Sequence, residues 1–129
     1  MSGMQITGID HLVLTVASID RTIAFYTGVL GMRAESFEDG RWALHFGAQK
    51  FNLHEAGHEF EPNAAYPAPG TVDICLITRT PIDEVVATLR EHDVPIIEGP
   101  GDRTGAQGRI RSVYFRDSDD NLLEVSNYY

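Results

Sequence analysis

Five polar side chains carry most of the chemistry this sequence can offer: His11, Asn52, His54, Asp73 and Glu124. His11 sits in Gly8-Ile-Asp-His-Leu-Val-Leu-Thr-Val, a run that a period-2 reading makes a strand covered on both sides. An imidazole there is either a satisfied core histidine or a ligand lining a cavity. Glu124 lies in the equally apolar Leu-Leu-Glu-Val-Ser. A buried carboxylate is costly without a partner, so this one calls for a cation, either an ion or an arginine such as Arg111.

The elements around these residues occur twice. After the first strand, Ser18 caps a helix with an apolar stripe at Ile19, Ile23, Tyr26 and Leu30, and Gly31 ends it. Three short strands are expected at 32–37, 41–46 and 50–55, separated by Glu38-Asp39-Gly40 and Gly47-Ala48. A strand at 71–78 opens the second half. Thr80-Pro81-Ile82-Asp83 then supplies an N-cap at Thr80, a proline at the first helical position and an acid at N3, opening a helix with a stripe at Ile82, Val85, Val86 and Leu89. Further strands are expected at 95–98, 110–116 and 122–127, with a glycine-rich loop at 99–108. Gly8 onward aligns with Gly70-Thr-Val-Asp-Ile-Cys-Leu-Ile-Thr, and Gln49-Lys-Phe-Asn-Leu-His with Asn121-Leu-Leu-Glu-Val-Ser. This alignment puts His11 opposite Asp73, Asn52 opposite Glu124 and His54 opposite Ser126, at equivalent inward positions of two strand-helix-strand-strand-strand units.

Composition narrows the classes. The 129 residues are one domain's worth of chain, 43% hydrophobic and 22% charged, as in ordinary globular proteins. A formal charge of −9, spread without blocks, opposes binding to nucleic acid or anionic membranes. No apolar run approaches a membrane span, and the N-terminus lacks the basic and apolar segments of a secretory signal, so a cytoplasmic address is expected. The single Cys75 reads as a small buried hydrophobe.

Three stretches, Asp10-His-Leu-Val-Leu-Thr-Val, Thr22-Ile-Ala-Phe-Tyr-Thr-Gly-Val-Leu-Gly-Met and Val113-Tyr-Phe-Arg-Asp-Ser-Asp-Asp-Asn-Leu-Leu-Glu-Val, resemble the vicinal oxygen chelate superfamily. That superfamily includes glyoxalase I, fosfomycin-resistance proteins, bleomycin-binding proteins and extradiol dioxygenases. Through Lys50-Phe-Asn-Leu-His-Glu-Ala-Gly-His-Glu-Phe the chain looks most like small glyoxalase-domain proteins of unassigned substrate, among them a virulence-associated bacterial subgroup. The resemblance implies an α+β fold: two βαβββ modules forming a cup-shaped eight-stranded mixed sheet with helices on its outer face. Module one would span about 8–56 and module two about 71–127, joined by a linker at 57–70 that could act as a lid.

The resemblance also implies a divalent metal (Zn, Ni, Mn or Fe) held by first-strand and last-strand residues of each module, and a homodimer that can share its sites between chains. Carried over, the ligand positions are His11, Asn52, Asp73 and Glu124. Glyoxalase I-like enzymes usually have a carboxylate where Asn52 stands and a histidine where Asp73 stands. His54, about 7 Å beyond Asn52 on the same strand face, offers an alternative fourth corner. The metal set expected is therefore His11, His54, Asp73 and Glu124, with Glu124 and Asp73 also in catalytic roles. The expected function is a glyoxalase-like lyase or isomerase acting on a small oxygen-rich substrate chelated to the metal. A ring-cleaving Fe(II) dioxygenase and a non-catalytic drug- or metabolite-binding module are the alternatives.

Overall fold

The first strand, β1 (His11–Val16), buries Leu14 and Val16 and leaves His11 and Val13 exposed, so one of its faces is open. The computed structural model to which it belongs describes residues 3–129. Helix α1 (Ile19–Gly28) follows, its first turn capped by the Ser18 hydroxyl, which accepts from the Arg21 amide at 3.2 Å. Gly31 takes a φ of +68°, which a side chain disfavours, and its amide bonds back to the Thr27 carbonyl at 3.2 Å. That reversal sends the chain into β2 (Arg33–Phe37), β3 (Arg41–Phe46) and β4 (Gln49–Glu55). These strands form a sheet in the order β1-β4-β3-β2, with β1 parallel to β4 and the rest antiparallel.

The second half repeats this pattern. It consists of β5 (Asp73–Ile77), α2 (Ile82–Glu91), β6 (Ile96–Gly105), β7 (Gly108–Arg116) and β8 (Leu122–Tyr128). The sheet order is β5-β8-β7-β6, again with its first and last strands parallel. The architecture is thus α+β, with eight strands in two four-stranded mixed sheets and one helix packed on each. Both sheets and both helices feed one apolar core, which includes Leu14, Tyr26, Phe51, Leu89, Phe115 and Leu123.

A polar clamp ties the two halves together beside that core. The buried Tyr26 hydroxyl donates to Asp117 Oδ2 at 2.5 Å, and Asp117 also accepts from the Asp119 amide and from the amide and side chain of Asn121. Arg21 donates to the Ser118 carbonyl at 2.6 Å, and the Ala17 amide meets Asp119 Oδ1 at 3.3 Å. Burial, and then the Asp117 charge beside it, push the Tyr26 hydroxyl well above the ordinary range for tyrosine.

Four local expectations change. The glycine-rich loop at 99–108 is mostly strand: β6 runs on to Gly105 and pairs with β7, with register shifts between Ile96 and Glu98 and between Glu98 and Gly101. Pairing with β7 supplies the hydrogen bonds that local composition did not advertise. Helix α2 has Pro81 rather than Thr80 at its cap, with no side-chain capping bond. Strand β1 is not covered on both sides. Cys75 is exposed rather than buried, because it shares the open face of β5 with Asp73 and Ile77.

Candidate functional site

Strand register and the two-residue alternation of side chains place twelve residues on the open face of the first sheet, in three rows running from β2 to β1. The rows are Arg33, His45, Lys50 and His11; Glu35, Ala43, Asn52 and Val13; and Phe37, Arg41, His54 and Thr15. The second sheet has the same lattice. Arg116, Leu122 and Asp73 make its first row, Glu98, Tyr114, Glu124 and Cys75 its second, and Gly101, Ser112, Ser126 and Ile77 its third. His11 is therefore equivalent to Asp73, Asn52 to Glu124 and His54 to Ser126, as the sequence alignment requires.

On the second face Glu124 is half-buried, and its Oε2 accepts from the Ser112 hydroxyl at 2.5 Å and the Ser126 hydroxyl at 3.5 Å. The two serine hydroxyls are themselves 2.6 Å apart and buried. These hydroxyls, rather than Arg111, satisfy the carboxylate, because Arg111 alternates onto the other face of β7. The Cys75 sulfur lies 3.3 Å from the Ser126 hydroxyl. Partial desolvation of the sulfur, and then the Glu124 charge, push its thiol up, against the opposing pull of the Ser126 hydrogen bond. Tyr114, opposite Glu124, accepts from Arg103 Nε at 3.2 Å, and burial and Glu124 raise its phenol. Asp73, diagonal to Glu124 on the neighbouring strand, is exposed.

The first face differs in chemistry. His11 is exposed, and its Nδ1 lies 2.8 Å from Asp10 Oδ1. Asn52 is buried, and its Oδ1 has no hydrogen-bond partner among the described residues. His54 is only 2% exposed; its Nε2 lies 3.4 Å from Arg41 Nη2 and its Nδ1 is buried without a partner. Burial, and then the Arg41 charge, lower the His54 pKa, against an opposing pull from Glu59, so the ring favours its neutral form. Its edge packs on Phe60, with ring centroids 5.5 Å apart.

The structure brings together some of the residues expected to hold a metal and separates others. His11 and Asn52 are diagonal neighbours across β1 and β4, as Asp73 and Glu124 are across β5 and β8. His54 pairs with Thr15, four register steps from His11, which is about 13 Å along a strand. Among the described residues no three His, Cys, Asp or Glu side chains lie close enough to hold an ion. A single chain therefore presents two separate polar pairs, His11 with Asn52 and Asp73 with Glu124, and by itself does not fit a closed metal centre. Two half-sites brought face to face supply one imidazole, one amide oxygen and two carboxylates. Those donors suit a divalent ion with open positions.

The sequence alone did not single out Arg41, Lys50, Phe37 or Ser112. Each stands out only once register shows which residues share its face.

Residues 8–125 match the model of the Glyoxalase/Bleomycin resistance protein/Dioxygenase superfamily. The chain belongs to that superfamily. It is 54% identical over 125 residues to Virulence protein STM3117 of Salmonella typhimurium, an alignment covering 97% of this chain and 87% of that protein. The crystal structure of that protein superposes with a TM-score of 0.96, covering 98% of this chain and 100% of that one. The glyoxalase domain-containing protein RDO1 of Mycosarcoma maydis is 48% identical over 97% of this chain and 70% of its own length. More distantly, the metallothiol transferase FosB of Staphylococcus epidermidis is 26% identical over 94% of this chain and 84% of its own length.

Proposed function

We propose that this protein is a metal-dependent enzyme of the glyoxalase-like lyase or isomerase kind, acting on a small substrate whose adjacent oxygens chelate a divalent ion. The centre is completed by a second copy: His11 and Asn52 come from one chain, and Asp73 and Glu124 from the other. The observation that supports this reading is the register equivalence of two polar pairs, His11 with Asn52 and Asp73 with Glu124, one of them ending in the buried Asn52 carbonyl, which has no partner among the described residues. Its membership of a superfamily described by glyoxalases and dioxygenases supports the same reading. Register favours Asn52 over His54 for the fourth corner.

A divalent ion would polarise the substrate oxygens and stabilise an enediolate or alkoxide as charge develops. The chain's own residues divide the remaining work. Ser112 and Ser126 hold Glu124 through one carboxylate oxygen, on the face it shares with Cys75 and Tyr114. Asp73, exposed and diagonal to it, is placed to hold or pass a proton. Val13 and Ile77, both exposed, give the two faces apolar surface against which a small substrate would exclude water.

The test is metal titration of protein purified without chelator, paired with sedimentation. A stable dimer binding one Zn, Ni, Mn or Fe(II) per chain is expected, with binding lost in His11→Ala and in Glu124→Ala. Mixed dimers of those two variants should regain one site per dimer, because one of the two shared sites then receives both native residues. Less than about 0.1 ion per chain under every condition, or full binding by a monomer, overturns the reading. Oxygen uptake with catechols in the Fe(II)-loaded protein would instead indicate ring-cleaving chemistry. Ligand binding that survives both substitutions would indicate a non-catalytic module.

A further inference from the structure

The open face of the first sheet is cationic although the chain carries a formal charge of −9. Its twelve positions hold three of the ten Lys and Arg residues and three of the five histidines, against the single acid Glu35. Glu35 is already committed, 2.8 Å from Arg33 and 3.3 Å from His45, and the Arg33 hydrogen bond holds its carboxyl below the ordinary glutamate range. Lys50 lies over the Phe37 ring, 4.1 Å from its centroid. Arg41 lies over two rings, 5.2 Å from the centroid of Phe37 and 4.6 Å from that of Phe60. Contact with these rings restrains the guanidinium and leaves its N–H groups as the binding surface.

Unpaired donors gather at this corner. Arg41 can only donate, so its contact at 3.4 Å makes His54 Nε2 the acceptor and puts the ring proton on Nδ1. Both that Nδ1–H and the Arg41 Nε–H are buried with no acceptor among the described residues. Buried donors without acceptors are costly, and two on neighbouring side chains point to an acceptor that arrives with a ligand. Three acids, Glu38, Asp39 and Glu61, line the outer mouth of the adjoining cleft with Arg41 and Phe60, and Glu38 sits 3.6 Å from Arg41. Their charge repels a dianion more strongly than a monoanion.

We propose that the Arg41–His54 corner of the first sheet is a subsite for a carboxylate, the anionic end of a substrate whose remainder extends along the face past Asn52. Lys50, reaching across the face to Phe37, adds long-range attraction. The proposal rests on this face belonging to a small-molecule site but not on a metal being bound there.

Acetate and inorganic phosphate are titrated into metal-stripped protein while the Arg41 Nε–H and His54 Nδ1–H resonances are followed by NMR. Saturable acetate binding is expected, with a dissociation constant on the order of millimolar and with phosphate weaker. Arg41→Met should weaken it at least about tenfold. Arg41→Lys, which keeps the charge and spares the fold, should do nearly the same because the fork of donors is gone. His11→Ala should leave carboxylate binding unchanged, and Arg41→Lys should leave Mn binding unchanged, so the two proposals fail separately. Shifts that do not saturate, phosphate binding tighter than acetate, or full carboxylate affinity in Arg41→Lys would each overturn the subsite.

Discussion

Replacing Tyr26 with Phe removes one hydroxyl from the clamp that joins the two halves, and the cost can be worked out from its surroundings. The Tyr26 hydroxyl is buried and donates at 2.5 Å to Asp117, which keeps three other donors when it is lost. A hydrogen bond to a charged group contributes roughly 1.5–3 kcal/mol, so Tyr26→Phe should destabilise by about 2 kcal/mol at pH 7. Urea unfolding followed by Trp42 fluorescence measures it, with thermal unfolding expected to fall by about 8 °C. The pH dependence gives a second, independent check. The folded value of Tyr26 is raised above the unfolded value near 10, first by burial and then by Asp117. Its contribution is therefore complete below pH 10 and declines above it, by about 1.4 kcal/mol per pH unit, as the unfolded chain alone ionises. The gap between wild type and Tyr26→Phe should shrink to about 0.6 kcal/mol at pH 11. A gap under about 0.5 kcal/mol at pH 7, or one that does not change with pH, would refute the clamp.

Three other predictions address the site and its supports. Gly99→Ala should destabilise by more than about 2 kcal/mol in the same unfolding assay, because Gly99 has φ +95° and an added Cβ would meet the Ser112 carbonyl at 2.4 Å. Cys75, though exposed, should alkylate more slowly with iodoacetamide at pH 8 than the same cysteine in unfolded protein, since its raised thiol pKa lowers the thiolate fraction. Glu124→Gln should speed that reaction by removing one cause of the shift. Asn52→Glu, which makes the first half-site match the carboxylate of the second, should tighten divalent-metal binding at least about tenfold by calorimetry, and unchanged affinity would remove Asn52 from the fourth corner.

The sequence by itself determined the repeat and, through it, the pairing of His11 with Asp73 and of Asn52 with Glu124. Both follow from local signals: the Ser18 cap, the Gly31 reversal, the helical stripes and the two-residue alternation of the strands. Such signals depend on neighbours along the chain, so the chain shows them before it folds. What surrounds each side chain depends on neighbours across a sheet, and those only the tertiary structure decided. Register set His54 beside Arg41 and four steps from His11, and placed Ser112 and Ser126, not Arg111, against Glu124. Pairing with β7 turned a glycine-rich stretch into β6, and the open faces left Cys75 and His11 exposed on strands that read as buried. A strand's composition reports how apolar it is, whereas which of its two faces is covered depends on what packs against it.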